Sequence, residues 1–193
     1  GSDFNSGITE NDPLQHIVKA LDFADTIYLK AGDVFWGGVN FTGKFVTRYG
    51  NGEDPLICGF KRIVHPDWNQ VGKHIWKINL RTNNYVGVNN VDYLTNNIGC
   101  IYDYVTDKVY GRKVQYKNEL AENWDFWQTD SFKANDIGEH SFDELYLYLT
   151  QNPNKLMLEF STGTVGVQIS YGKISHIKIC GFGIHGISAG SNT

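Results

Sequence analysis

Apolar positions along this chain follow two different periods. Leu14, Ile17, Val18 and Leu21 stand at i, i+3, i+4 and i+7, the stripe of an amphipathic helix, with Gln15, Lys19 and Asp22 turned to water. Asn11-Asp12-Pro13 supplies a capping residue and a proline at the first helical position, so the pattern predicts a helix starting there. From Asp25 the period changes. Thr26–Leu29, Val34–Trp36, Val39–Phe41, Lys44–Tyr49 and Leu56–Cys58 are short runs of β-branched and aromatic residues bounded by Gly, Asp, Asn or Pro. They are too short for helices and turn too often for long hairpins. Such a rhythm suits a chain wound around a solenoid axis, that is, a parallel β-helix, with the leading helix covering the apolar cross-section of the first coil.

The rhythm then breaks. HIWKINL (74–80) alternates strictly, placing Ile75, Lys77 and Asn79 on one face and Trp76, Ile78 and Leu80 on the other. Ile98–Val105 and Lys108–Tyr116 read as a hairpin about Thr106-Asp107-Lys108. NELAENWDFWQ (118–128) fits a short helix or a strand with its approach loop, and periodicity does not decide between them. Glu144–Thr150 is a strand with Leu145, Leu147 and Leu149 on one face, stopped by Asn152-Pro153-Asn154. From Lys155 short runs return: Leu156–Phe160, Val165–Ser170, His176–Cys180 and Phe182–Ile187, whose Ile and Val should stack as aliphatic ladders. The division that follows is 1–74, cap helix and first coils; 75–150, an inserted antiparallel β region; and 151–193, further coils. No helix closes the last coil, so Ile177, Ile179, Ile184 and Ile187 are expected to face a neighbour. A longer native protein, a partner, or self-association through that end would supply it.

Asp25–Gly32, followed by Tyr49-Gly50-Asn51-Gly52 and Pro55-Leu56-Ile57, resembles the opening coils of right-handed parallel β-helix proteins of the pectate-lyase-like superfamily. The likeness covers the first third of the chain and returns in its last 40 or so residues. It implies an all-β fold, a secreted or cell-surface location and a polysaccharide partner. The active residues of such proteins usually sit on later coils, so the resemblance assigns no catalytic residue here.

Composition narrows the partners. With 17 Lys+Arg against 21 Asp+Glu and no dense basic run, the chain lacks the electrostatic footprint of a nucleic-acid binder. No apolar stretch approaches the ~20 residues that span a bilayer. The leading Gly1-Ser2 reads as a cloning remnant, compatible with a removed signal peptide. Cys58, Cys100 and Cys180 match neither a zinc spacing nor a dense disulfide framework, and Cys58 and Cys180 read as small buried side chains.

Candidate chemistry is thin. Asp125, Asp130 and Glu159 are the carboxylates a glycosidase pair would draw on, and His176, Lys178 and His185 are bases a lyase would need, but no spacing joins either set. His65, His74 and His140 lack metal-ligand spacing, and neither a phosphate loop nor a nucleophile elbow occurs. No cofactor is evident; Ca2+ in the full-length protein is compatible with the resemblance. Tryptophans are the better lead, because sugar C–H faces pack on indole planes while neighbouring polar groups bond the hydroxyls. Trp36, Trp68, Trp124 and Trp127, and with them Trp76, are the carbohydrate-contact candidates, the alternative being that Trp76 and one of Trp124 and Trp127 join the solenoid and the insertion by packing. Two functions follow: a secreted polysaccharide lyase or glycoside hydrolase whose catalytic residues lie on later coils, or a non-catalytic glycan-binding or structural module such as a surface or tail-spike protein.

Overall fold

The computed structural model describes residues 1–64, 66–80, 84–85, 97–129, 131–132, 140–141, 143–161, 165–183 and 185–190. The described residues are predominantly β, with one short α-helix among them, α1 (Ile17–Leu21). Strands β1 (Thr26–Lys30), β2 (Val34–Trp36), β3 (Val39–Asn40), β4 (Phe45–Tyr49) and β5 (Leu56–Cys58) come first. Then follow β6 (Phe60–Val64), β7 (Asn69–Gly72), β8 (Ile75–Asn79), β9 (Asn84–Tyr85), β10 (Ile101–Asp103) and β11 (Lys108–Tyr110). Next are β12 (Arg112–Lys113), β13 (Asp125–Gln128), β14 (Ser131–Phe132), β15 (His140–Ser141), β16 (Glu144–Tyr148) and β17 (Leu158–Ser161). The last are β18 (Val165–Ile169), β19 (Lys173–Ile174), β20 (Lys178–Cys180) and β21 (His185–Ala189).

Two compact units result: Gly1–Gly59 with Val165–Thr193, and Phe60–Thr164. In the first, three three-stranded sheets have the orders β1-β4-β19, β2-β5-β20 and β3-β18-β21, and every pairing is parallel. The chain therefore visits the three sheets in a fixed sequence, three times over. The registers Ile27↔Val46↔Ile174, Phe35↔Ile57↔Ile179 and Val39↔Val167↔Ile187 are the expected ladders. Their middle members Val46, Ile57 and Val167 are buried together with Ile27, Leu29 and Phe41. Ile177 and Ile179 pack on this core, Ile187 is exposed, and Ile184 lies outside the described residues.

The leading helix is shorter than its apolar pattern predicts, and its inward stripe is turned. The Asp12 carboxylate accepts the Ser6 N–H and hydroxyl instead of capping, and the Pro13 carbonyl accepts from Ser2 N and Asn5 Nδ2. Asp3 accepts the Gln15 and His16 amides. With the groups of the first turn bonded to the N-terminal segment, the helix begins only at Ile17. Ile17, Ala20, Leu21 and Ala24 face the core, again at i, i+3, i+4 and i+7, while Val18 is exposed.

The second unit holds two five-stranded sheets, β11-β10-β17-β6-β9 and β12-β13-β16-β8-β7, plus the hairpin β14-β15. Apart from the parallel pair β12-β13 its pairings are antiparallel. Ile63, Ile101, Leu158 and Phe160 from the first sheet and Ile78, Phe126, Leu145 and Leu147 from the second form one buried cluster, so the unit is a sandwich. The sequence reading gave 60–74 and 151–164 to coils, whereas β6 and β7 belong to this unit and β17 pairs antiparallel with β6. A short apolar run looks alike as a coil wall or a sandwich strand, and only its long-range partner tells them apart. The hairpin stands about Asp107 as its turn residues predict, with arms 101–103 and 108–110 shorter than the expected 98–105 and 108–116, and the strand at 144–148 stands where alternation puts it.

Candidate functional site

Strand β13 opens with a clamp. Asp125 is 1% exposed, and its carboxylate takes two bonds from Arg112, Nε to Oδ1 and Nη2 to Oδ2, both 2.8 Å. Oδ2 also accepts the Ala121 and Glu122 amides at 3.1 and 2.9 Å. These donors, Arg112 foremost, hold the Asp125 carboxyl down at about 2 despite its burial. The clamp ties Arg112, Ala121 and Glu122 to Asp125, between the single turn Lys117–Glu119 and the strand that carries Trp127, with Trp124 immediately before Asp125. This settles the ambiguous stretch 118–128 as a 3-10 turn followed by a strand. Gly111, next to the clamp, has φ +106, and a Cβ there would lie 2.7 Å from the Phe126 ring.

Alternation sends Phe126 to the core and Trp127 to the outer face of the sheet. Directly opposed residues then continue across three more strands: Trp127↔Tyr146↔Lys77↔Asn69. Trp127 is half-buried, its ring 5.4 Å from Tyr146 and tilted by 51°. Lys77 Nζ donates to Glu144 Oε1 at 2.9 Å, and the Tyr146 hydroxyl donates to Oε2 at 2.9 Å. Lys117 Nζ stands 3.8 Å from the Tyr146 ring centroid. The Lys77 bond draws the Glu144 carboxyl below its usual range against its burial, and the Lys77 ammonium is held correspondingly up. Burial first, then Glu144, pushes the Tyr146 phenol up. Tyr146 is 7% exposed and packs with Val114, Leu120 and the half-buried Trp127, and around this cluster the face carries the exposed Asn69 amide, the Lys77 and Lys117 ammonium groups and the ionised Glu144, groups that pack and hydrogen-bond a polyol.

The other tryptophans separate. Trp68 is 3% exposed, its ring 6.3 Å from Phe160, and Asn154 brackets its backbone through Trp68 N to Oδ1 and Nδ2 to Trp68 O, both 2.9 Å. It is a core residue, which removes it from the contact candidates; a single Trp beside Pro and Asp carries no periodic signal of which way it points. Trp124 packs against the same core and stacks on Tyr110 at 4.3 Å and 5°. Trp36, in the first unit, is 67% exposed on β2. Trp76 donates its Nε1 to the Leu149 carbonyl at 2.9 Å, a bond within the second unit.

Asp125 and Glu159 do not assemble into a pair. Asp125 lies on the outer side of one sheet, whereas Glu159, ion-paired with Arg62 at 2.6 Å, lies opposite Tyr102 on the outer side of the other, with Leu158 and Phe160 on its core side. Two sheets about 10 Å apart stand between them, so they cannot flank one glycosidic bond. Asp130 and His65 lie outside the described residues. In the first unit Lys178 is ion-paired with Glu53, and His176 and His185 are exposed. Among the described residues no three His, Cys, Asp or Glu side chains gather as metal ligands, and no helix is long and apolar enough to cross a membrane. A groove of ≈ 560 Å³ in the first unit is lined by Gly1, Leu14, Ile17, Phe23, Tyr28 and Tyr49.

Lys77, Asn69, Glu144, Lys117 and Arg112 were not singled out by the sequence. Alternation places Lys77 and Tyr146 on outward faces, but the register that lines them up with Trp127 joins residues far apart in the chain.

No family model matches this chain, and no curated protein matches it. Among solved structures, one described as "The complex structure of XylC with xylose" is similar over 92% of this chain, with 17% sequence identity and a TM-score of 0.50. The chain spans about a third of that protein, 34% of its length. At this identity the similarity is one of fold.

Proposed function

We propose that this chain is a polysaccharide-recognising part of a carbohydrate-active protein of the right-handed parallel β-helix type. The β-helix reading is supported by the three parallel sheets visited in fixed order, and a connection between parallel strands is right-handed in nearly all proteins. The carbohydrate reading is supported by the fold similarity to a protein described with bound xylose. The observation that carries it is the row Trp127–Tyr146–Lys77–Asn69 with its ionised Glu144 on an outer sheet face. Recognition is favoured over bond cleavage within this chain because a glycosidic general acid must keep its proton near neutrality. Asp125 and Glu144 are both displaced the opposite way. The protein meets its glycan outside the cell, secreted or on the cell surface.

Affinity electrophoresis and calorimetry with xylose, xylo-oligosaccharides and a panel of neutral and acidic polysaccharides test this. At least one should bind and change the tryptophan fluorescence. Trp127→Ala should weaken that binding about tenfold or more, a loss of ~1.4 kcal/mol, with an unchanged circular dichroism spectrum. Asn69→Ala, at an exposed position, should weaken it without any change in melting. Absence of binding across the panel, or parental affinity in both variants, would overturn the reading. Release of reducing ends or unsaturated products by the chain alone would favour catalysis here instead.

A further inference from the structure

In the sheet β2-β5-β20 the register Phe35↔Ile57↔Ile179 faces the core, so the next register, Trp36↔Cys58↔Cys180, lies on the opposite face. Cys58 and Cys180 are therefore direct neighbours on adjacent parallel strands, and their Sγ atoms are 3.7 Å apart. The backbone on both sides of the pair is bonded: Gly37 N donates to the Cys58 carbonyl and Gly59 N to the Cys180 carbonyl, each at 2.9 Å. A Cβ on Gly59 would stand 2.7 Å from the Gly181 carbonyl, so the two strands also approach closely just past the pair.

We propose that Cys58 and Cys180 form a disulfide that clamps successive turns of the first unit. Neighbouring strands lie about 4.7–4.9 Å apart, inside the roughly 4.4–6.8 Å between Cα atoms that a disulfide spans, and the Sγ atoms already face each other at 3.7 Å, so side-chain rotation with a small approach of the two strands closes the bond. The oxidant is a small disulfide such as oxidised glutathione. Cys180 is half-buried and Cys58 is 5% exposed, which sets the order of events. The Cys180 thiolate attacks one glutathione sulfur, breaking the S–S bond and releasing one glutathione thiolate. The Cys58 thiolate then attacks Cys180 Sγ, forming the internal bond and releasing the second. Two cysteine thiols are oxidised, one glutathione disulfide is reduced to two thiols, and the two protons go to the departing thiolates. In sequence the bond encloses the whole of the second unit, a long loop, so in the chain-entropy account it restricts the unfolded chain strongly.

The test is to equilibrate the chain in glutathione buffers from reducing to oxidising, trap thiols with N-ethylmaleimide and map the peptides by mass. Cys58 and Cys180 should lose alkylation together and appear in one cross-linked species, while Cys100 in the second unit stays alkylated. The oxidised chain should melt higher by roughly 5–15 °C, a rise reversed by dithiothreitol and absent in Cys58→Ser and Cys180→Ser. Alkylation of both cysteines in the most oxidising buffer, pairing of either with Cys100, or a persistent glutathione adduct on Cys180 would overturn the proposal. Equal melting of the oxidised and reduced chains would overturn it as well.

Discussion

Replacing Asp125 by Asn probes the clamp that sets the candidate face. The carboxyl is drawn from 3.8 to about 2, and each pKa unit is worth ~1.36 kcal/mol, so its ionisation contributes about 2 kcal/mol to folding at pH 7. Asn keeps the size but loses the charge, and it turns an N–H2 toward groups that are all donors: Arg112, Ala121 N and Glu122 N. Because Arg112 is 62% exposed its charge is not stranded, and the expected loss is about 3 kcal/mol, below the upper range for a broken buried pair. At this chain length that lowers Tm by roughly 6–12 °C. The folded pKa is depressed, so the contribution is full above the unfolded value near 3.8 and is lost as pH falls through about 2. About half remains at pH 3. Thermal unfolding followed by tryptophan fluorescence at pH 7 and pH 3 should therefore show the gap between parent and variant narrowing by about 1 kcal/mol. A variant melting within about 1 °C of the parent, or an equal gap at both pH values, would refute the account.

Two stability measurements separate buried from exposed apolar positions. Trp68→Ala should cost ~3–5 kcal/mol in urea unfolding, whereas Trp36→Ala should fall within about 0.5 kcal/mol of the parent; similar losses in both would contradict the assignment of Trp68 to the core. Ile17→Asp places a charge against the core of the first unit and should lower stability by about 1–3 kcal/mol, and an unchanged melting curve would show that α1 does not seal that core.

Much of the first unit was legible because it is local: glycine-bounded runs marked the strands β1 to β5, β18, β20 and β21 within a few residues, whereas the two-residue β19 (Lys173–Ile174) fell between the runs. The faces of β8 and β16 were legible for the same reason, since strict alternation in HIWKINL and ELYLY dictates which side chains are buried. The start of α1 was not, because the amides and carbonyls of its first turn are bonded by Asp3, Asn5 and Ser2, remote competitors that no helical pattern reveals. The limits of the second unit were hidden because β6 and β17 find each other across about a hundred residues. The row through Trp127 is a product of register, and register is a long-range property. Arg112 is the instructive miss: it stands thirteen positions before the carboxylate it grips, with an irregular segment between them.

The second turn of the first unit is interrupted between β5 and β18, and this has a consequence for synthesis. A ribosome delivering this chain at about 5–20 residues per second leaves β1 to β5 waiting on the order of ten seconds before the strand that completes their second circuit emerges. The sandwich, contiguous in sequence, has all its strands available first. The later-starting unit is thus the one placed to fold earlier, and the sheets of the first gain their last strands only after it has left the ribosome.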